Sequence, residues 1–170
     1  MTRSPGQSSF LLGVRGVGKS TWAQAKFPDA AHINLLDEGR YQDYFADPSL
    51  FAADLQFVPP GVSVVVDEIQ RLPNLLNEVH RLIEGRRLNF PLPGSSARKL
   101  KATGVNLLAS QALHKTMHPL TPAELGCDFD LDSALTTGTP LDWVANERRP
   151  VLECYVRLYL REEVGAEGLV

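Results

Sequence analysis

The sequence has few cysteines, no long apolar run and no large excess of either charge. Its two cysteines, Cys127 and Cys154, lie far apart and in no metal-binding or redox spacing, so both are expected to be ordinary packing or surface residues. No apolar run is long enough to span a membrane, and Phe10-Leu11-Leu12 is too short for the core of a signal peptide. The net charge of −3 argues against non-specific binding of nucleic acid by the whole surface, although a local basic patch stays open. These absences predict a cytoplasmic protein with no membrane partner.

A glycine-rich stretch near the amino terminus carries the clearest chemical signal. The residues from Gly13 to Ser20 match the pattern G-x-x-x-x-G-K-[ST], between an apolar strand at Ser9 to Leu12 and a helix at Lys19 to Lys26. Glycines let successive backbone N–H groups point at phosphate oxygens, and the helix that follows adds the positive end of its dipole. The pattern predicts that Lys19 reaches the β- and γ-phosphates and that Ser20 helps to coordinate Mg²⁺. The competing interpretation is a glycine-rich turn that matches by accident.

An acidic pair follows the second strong strand signal. Val62 to Val66 form a β-branched run typical of a strand buried on both faces, and Asp67 and Glu68 come directly after it. In a P-loop enzyme we expect Asp67 to hold the magnesium ion from the strand beside the loop and Glu68 to polarise an attacking water. The alternative is a solvated strand end, where acidic residues are common.

The other elements alternate between strand and helix patterns. Further strands are predicted at Ala31 to Leu35 and Lys115 to Leu120, and a helix over Ile69 to Ile83 with Pro73 in its first turn and Gly85 at its end. A fourth strand is expected near Pro91 and Pro93, although each proline removes a hydrogen-bond donor. More helices are predicted to start at Thr121, to cover Leu131 to Thr137 and to run from Pro150 to about Val164.

Three segments carry a resemblance to a known family: residues 10–21, the acidic strand end with the helix after it, and Gly94-Ser95-Ser96-Ala97-Arg98-Lys99-Leu100. They resemble the AAA-type P-loop ATPases of bacteria and archaea that carry a carboxy-terminal, nuclease-like domain of unknown function. Segments 119–125 and 159–164 are also similar to that family. The resemblance implies an α/β fold, a three-layer α/β/α sandwich around a mainly parallel sheet. It also implies a domain plan with a flexible amino terminus (1–8), a P-loop ATPase core (9–149) and a carboxy-terminal helix (150–170) that begins a missing second domain.

Site residues follow from mapping the family pattern onto this sequence. The resemblance implies Lys19, Glu68 and Arg98 as catalytic residues, with Arg98 sensing the terminal phosphate or acting on a neighbouring subunit; the alternative for Arg98 is an arginine that caps local carbonyls. Ser20 and Asp67 are the expected metal ligands. The expected nucleotide-binding residues are Gly13, Val14, Arg15, Gly16, Val17, Gly18, Lys19, Ser20, Thr21, Ser95 and Ser96.

Two positions depart from the family pattern. Pro93 stands where relatives carry a polar residue, usually threonine, before Gly-Ser-Ser, and Ala109-Ser110-Gln111 stands where relatives tend to carry Ala-Gly-Arg. Proline offers neither a hydroxyl nor an N–H to position a water molecule. Binding is expected to survive these changes better than catalysis, because the backbone cradle, Lys19 and Ser20 are intact.

The first functional hypothesis is a magnesium-dependent ATPase that binds ATP and ADP. The second is a nucleotide-binding module with degenerate or no hydrolysis, acting through a partner or as a truncated fragment; the apolar ending Gly168-Leu169-Val170 favours a piece of a longer protein. A third is kinase-type transfer to a small molecule, for which an arginine-rich lid would be expected. Kinship with AAA-type rings implies a homo-oligomer. The sequence identifies neither a nucleic-acid nor a protein partner.

Overall fold

The computed structural model describes residues 7–95 and 111–137 together with residues 108 and 153. Its contacts divide the chain into two compact units, Met1–His118 and Pro119–Val170. None of the helices in the described segments is long and apolar enough to cross a membrane. Ser96, Arg98 and all of the predicted carboxy-terminal helix except residue 153 lie outside the described residues.

The first unit contains five described strands and four described helices. The strands are β1 (Ser9–Leu12), β2 (Ala31–Asn34), β3 (Val64–Asp67), β4 (Pro91–Gly94) and β5 (Leu113–Thr116), and the helices are α1 (Lys19–Lys26), α2 (Glu38–Ala46), α3 (Ser49–Asp54) and α4 (Leu75–Arg86). The predicted bounds of β1 and α1 are confirmed, whereas β5 begins and ends earlier than the sequence pattern predicts.

All the strand pairs in the described part of this unit are parallel. β1 lies between β4 and β5, and β2 pairs with β3. A parallel bridge between Ser63 and Asn89 joins the two sets, and the N–H of Val64 donates to the carbonyl of Asn89 at 2.8 Å. The strand order is therefore β2-β3-β4-β1-β5. This arrangement confirms the predicted α/β class and corrects the expectation that Asp67 lies on the strand beside β1, because β4 separates β3 from β1.

The two prolines of β4 explain why few backbone hydrogen bonds join β3 to β4. Successive N–H groups of a strand alternate between its two neighbours. The carbonyl of Phe90 accepts from Ser9 of β1 at 2.9 Å, and the N–H of Asn89 donates toward β3, to Val62, at 3.1 Å. The missing N–H groups of Pro91 and Pro93 therefore face β3, and the β1–β4 ladder keeps its donors.

The predicted helix over Ile69 to Ile83 is interrupted. A 3₁₀ turn (Ile69–Arg71) comes first, and α4 begins only at Leu75. Pro73 prevents a continuous helix from Ile69, because it lacks an N–H and its ring collides with the carbonyl four residues earlier. The prediction that Gly85 ends the helix is also wrong: α4 continues to Arg86, and Arg87 takes the left-handed conformation at φ 54°.

One buried cluster supports the sheet and the helices of the first unit. Aromatic side chains from β1, α2 and α3 meet there, and Val64, Val66 and the inner face of α4 complete it. The core residues are Phe10, Ile33, Leu35, Tyr44, Phe51, Leu55, Val64, Val66, Ile69, Leu72, Leu75, Leu76, Val79, Leu82, Leu88, Phe90, Leu92, Leu108 and Ala112. This packing holds the carboxyl ends of β1, β3 and β4, from which the candidate site residues project.

The described part of the second unit contains two short α-helices, α5 (Pro122–Leu125) and α6 (Leu131–Thr137), with a 3₁₀ turn (Gly126–Asp128) between them. The predicted start at Thr121 is confirmed by a capping box. The Thr121 hydroxyl accepts from the N–H of Glu124, and the Glu124 carboxylate accepts from the N–H of Thr121 at 2.8 Å.

Candidate functional site

The loop between β1 and α1 is shaped by two left-handed glycines. Gly16 has φ 83° and Gly18 has φ 82°, a region that residues with a Cβ rarely occupy. Gly18 immediately precedes α1, and no side chain of the described residues caps that helix end. The first N–H groups of α1 therefore remain available for a ligand, and the helix dipole makes an anion the favoured one.

Lys19 lies inside this loop rather than in solvent. Only 6% of the residue is exposed, and its Nζ donates to the carbonyls of Gly13 and Val14, each at 2.8 Å. Burial lowers the pKa of Lys19, while the negative charges of Glu68 and Asp67 oppose that shift. The lysine is thus electrostatically coupled to the acidic pair on β3.

Gly13 serves packing instead of loop curvature. A Cβ at this position would collide with the carbonyl oxygen of Met117, and Met117 in turn donates its N–H to the carbonyl of Leu12 at 2.7 Å. The glycine lets the segment after β5 approach the start of the loop. The sequence pattern did not separate this role from those of Gly16 and Gly18.

Ser20 and Asp67 meet although they are 47 residues apart. The Ser20 hydroxyl donates to Asp67 Oδ2 at 2.5 Å. Asp67 is the last residue of β3, and its Oδ1 accepts the N–H of Glu68 at 3.0 Å. A hydroxyl and a carboxylate side by side at the edge of a phosphate-type loop are hard oxygen donors of the kind that Mg²⁺ uses together with substrate phosphates. Within the described segments no group of three or more His, Cys, Asp or Glu residues could hold a metal ion.

Glu68 is held in an unusual backbone conformation. Its φ is 58°, a strained value for a residue with a side chain, and strain of this kind costs on the order of 1 kcal/mol or more. Its N–H donates to the carbonyl of Pro93 at 3.1 Å as well as to Asp67. Burial, and then the charge of Asp67, raise the pKa of Glu68, and Lys19 and Arg15 oppose this effect. A strained, half-buried carboxylate whose charge interacts with a buried lysine is a candidate functional group.

The Glu68 carboxylate belongs to a small hydrogen-bonded group that sequence reasoning missed. Gln70 Nε2 donates to Glu68 Oε2 and, at 3.0 Å, to Ser95 Oγ, and Ser95 Oγ donates to Glu68 Oε2 at 3.4 Å. Gln70 is only 7% exposed. Helical periodicity gave no signal for it, because Gln70 is not one of the apolar residues that recur at helical spacing in this segment.

The remaining predicted loop residues divide between core and surface. Val17 is 1% exposed and packs in the interior, whereas Arg15, Ser20 and Thr21 are exposed, and Gly13, Val14, Gly16 and Gly18 are intermediate. Ser95, directly after β4, lies beside Glu68 as described above. The structure brings together the loop, Asp67, Glu68 and Ser95.

The two departures from the family pattern lie at opposite ends of the parallel strands. Pro93 pairs with Leu11 near the carboxyl end of β4, and its carbonyl accepts the Glu68 N–H, so it borders the site. Gln111 precedes β5, whose first residue pairs with the first residue of β1, and its Nε2 donates to Glu84 at 2.9 Å. Four strand residues, about 13 Å, separate that end from the loop. Gln111 is therefore too far away to touch a ligand there.

Comparisons with known proteins agree with this arrangement. A family profile described as AAA domain matches residues 6–126, more than half of the chain. The chain belongs to the AAA domain family. The carboxy-terminal nuclease-like domain of the relatives expected from the sequence stays a prediction. No curated protein matches the chain.

Many solved structures are similar to the chain, and three of them illustrate the likeness. Drosophila ORC bound to DNA has a TM-score of 0.50 at 16% identity, over 95% of this chain and 52% of that one. Two structures of the ORC2 protein of Aeropyrum pernix score lower. The ADP form has a TM-score of 0.49 at 15% identity, over 88% of this chain and 51% of that chain. The ADPNP-ADP complexes have 0.47 at 16%, over 71% and 44%. The chain thus spans about half or less of the length of these proteins. The likeness to the Drosophila structure shows the fold alone, the AAA-type α/β fold predicted from the sequence.

Proposed function

We propose that this chain binds ATP with Mg²⁺ at the loop between β1 and α1 and hydrolyses the terminal phosphoanhydride. The contact between Ser20 Oγ and Asp67 Oδ2 carries the proposal, because it joins the loop to the acidic strand end at one point. The open N-terminus of α1 and the buried ammonium of Lys19 support it. The family's nucleotide-binding loop gives the same assignment.

Each residue has a distinct role in this proposal. The loop amides and the N-terminus of α1 bind phosphate oxygens, and Lys19 neutralises charge on the β- and γ-phosphates. Ser20 and Asp67 would hold Mg²⁺, which offsets the charge on the phosphate oxygens when it is bound. Glu68 orients the attacking water. The family resemblance alone adds two further parts to the proposal. Arg98 and Ser96 would lie near the terminal phosphate, and a homo-oligomer would share Arg98 between subunits.

Phosphate release by the wild type and two site variants tests hydrolysis. Lys19→Ala should lose both nucleotide binding and turnover, because it removes the buried positive charge. Glu68→Gln should keep binding and lose turnover by about 100-fold or more, the usual contribution of a positioned base. Lys26→Ala is the matched control, an exposed lysine in the last turn of the same helix. Equal phosphate release by the wild type, Lys19→Ala and Glu68→Gln would refute hydrolysis at this site.

A second function is favoured by one observation: Pro93 borders Glu68 and offers no hydroxyl. In this alternative the chain binds nucleotide without useful turnover and acts through a partner. Tight binding of a fluorescent ATP analogue without phosphate release above background, even at high protein concentration, would select it. Specific activity that rises with protein concentration would instead indicate a site shared between subunits.

A further inference from the structure

Gln70 is a buried polar residue, although it is not part of the apolar pattern that buries the helix after β3. It is 7% exposed and lies in the 3₁₀ turn after β3. Its side-chain NH₂ group donates to two residues. One partner is Glu68 Oε2 and the other is Ser95 Oγ, at 3.0 Å. Because Ser95 also donates to Glu68 Oε2, the three side chains close a triangle that joins β3 to the end of β4.

The backbone around the triangle is shaped to admit the amide. A Cβ at Gly94 would overlap Gln70 Oε1, so only glycine leaves room for this side chain at the end of β4. Gln70 Oε1 is itself buried and has no hydrogen-bond partner within the described residues. A buried polar atom without a partner costs free energy, on the order of 1–3 kcal/mol.

Only one oxygen of Glu68 is engaged by this triangle. Oε2 accepts both hydrogen bonds, and Oε1 has no partner among the residues that the structure describes. Two donors on one oxygen restrict rotation of the carboxylate about its last torsion. Oε1 is left as the acceptor for a further donor.

We propose that Gln70 is a positioning residue that anchors Glu68 Oε2 and thereby keeps Glu68 Oε1 free to orient the attacking water. This inference rests on the proposed ATP hydrolysis. Ser95 completes the anchor, and Gly94 provides the space. Gln70 does not touch the nucleotide in this proposal; it acts through Glu68.

Gln111 offers a matched comparison on the same chain. Its Nε2 also donates to a glutamate, Glu84, at 2.9 Å, and its Oε1 is likewise buried without a partner in the described part of the chain. Gln111 differs in location, since it lies near the amino end of the strands, and in burial, since it is partly buried whereas Gln70 is 7% exposed. Any loss that comes merely from removing a glutamine amide that donates to a glutamate should therefore appear at both positions.

The experiment compares Gln70→Met with Gln111→Met, because methionine keeps the unbranched shape and removes the amide. We expect Gln70→Met to lower kcat for MgATP by about 10-fold to 100-fold, as expected for a misplaced reacting group, with KM and the Kd of a fluorescent ATP analogue within about twofold of the wild type. Gln111→Met should leave kcat within about twofold. Unchanged kcat in Gln70→Met, or equal losses of kcat and of nucleotide affinity, would overturn the proposal.

Two further measurements keep the outcome decisive. If Gln70→Met does not fold, Gly94→Ala displaces the amide from outside and should give the same selective loss of kcat. The side-chain NH₂ resonances of Gln70 in nucleotide-free protein, assigned by their loss in Gln70→Met, should shift in Glu68→Gln and not in Glu84→Gln. If the chemical shifts of these resonances do not change in Glu68→Gln, the hydrogen bond from Gln70 to Glu68 does not form. A wild type without phosphate release would defeat the proposed hydrolysis instead, and the resonances would still report on the anchor.

Discussion

Gly18 and Gly61 hold nearly the same left-handed backbone conformation at opposite edges of the sheet. Their φ angles are 82° and 79°, and Gly61 has open space where a Cβ would be. Gly18 precedes α1 in the candidate phosphate loop, whereas Gly61 lies in the turn before β3, where its N–H donates to the carbonyl of Arg87 at 3.0 Å. Alanine at either position imposes the same local strain, but only one of the two positions borders the proposed site.

The magnitude follows from two opposing contributions. Left-handed geometry costs an L-residue about 1–2 kcal/mol. Alanine also restricts the unfolded chain, which favours folding by about 0.4–1 kcal/mol relative to glycine. We therefore expect Gly18→Ala and Gly61→Ala each to lower the free energy of unfolding by about 1 kcal/mol, the difference of those contributions. Relaxation of the loop in Gly18→Ala also turns its amides, and loss of one charge-assisted hydrogen bond costs about 1.5–3 kcal/mol, roughly 10-fold to 150-fold in Kd.

Urea unfolding of nucleotide-free protein and titration with a fluorescent ATP analogue measure the two effects separately. Both variants should show a similar decrease in the urea midpoint, and only Gly18→Ala should weaken binding. If Gly18→Ala binds the analogue as tightly as Gly61→Ala does, the loop amides do not recognise phosphate, and the reasoning from loop geometry fails.

Two stability predictions concern how the elements around the site are held. Arg86 donates to the carbonyls of residues 55, 56 and 58 at 2.6, 3.0 and 2.6 Å, so Arg86→Met should lower the free energy of unfolding by about 2–4 kcal/mol. The control is Arg81→Met, which breaks an exposed ion pair on the same helix and should change the free energy of unfolding by less than about 1 kcal/mol. Similar urea midpoints for the two variants would contradict this prediction. Gly13→Ala should destabilise by about 1–3 kcal/mol because its Cβ would meet the carbonyl of Met117, whereas Gly85→Ala, in open space on α4, should stabilise by about 0.5–1 kcal/mol. Chemical unfolding of both glycine variants checks the opposite signs.

Elements with strong local signals were predictable from the sequence. The strand Ser9–Leu12, the helix after the loop and the helix start at Thr121 lie where the pattern placed them, because each depends on neighbours a few residues away. Element ends were less predictable: Gly85 gave a false end signal, and Arg87 took the left-handed conformation instead. A glycine permits that conformation without requiring it, and the hydrogen bonds from the Arg87 N–H to the carbonyls of Leu82 and Ile83 decided the position.

The sequence indicated the residue types of the candidate site, and the structure supplied the contacts between them. The loop pattern and the acidic pair identified Lys19, Ser20 and Asp67, and the structure places them within reach of one another. The role of Gln70 depends on Ser95, which is 25 residues later, and on the absence of a side chain at Gly94. Helical periodicity is a pattern within one segment, so it cannot predict a contact between that segment and the end of a distant strand.

The sequence by itself determined the phosphate-type loop, the buried β-branched strand and the acidic residues that end it, since glycine conformations, proline breaks and apolar spacing act over a few residues. Only the tertiary structure decided that β4 lies between the loop strand and the acidic strand, that Gln111 lies near the amino end of the strands and donates to Glu84, and that Gln70 donates to Glu68. Strand order and side-chain partners depend on which distant segments share a core. That choice depends on how the buried side chains pack together, which no local pattern records.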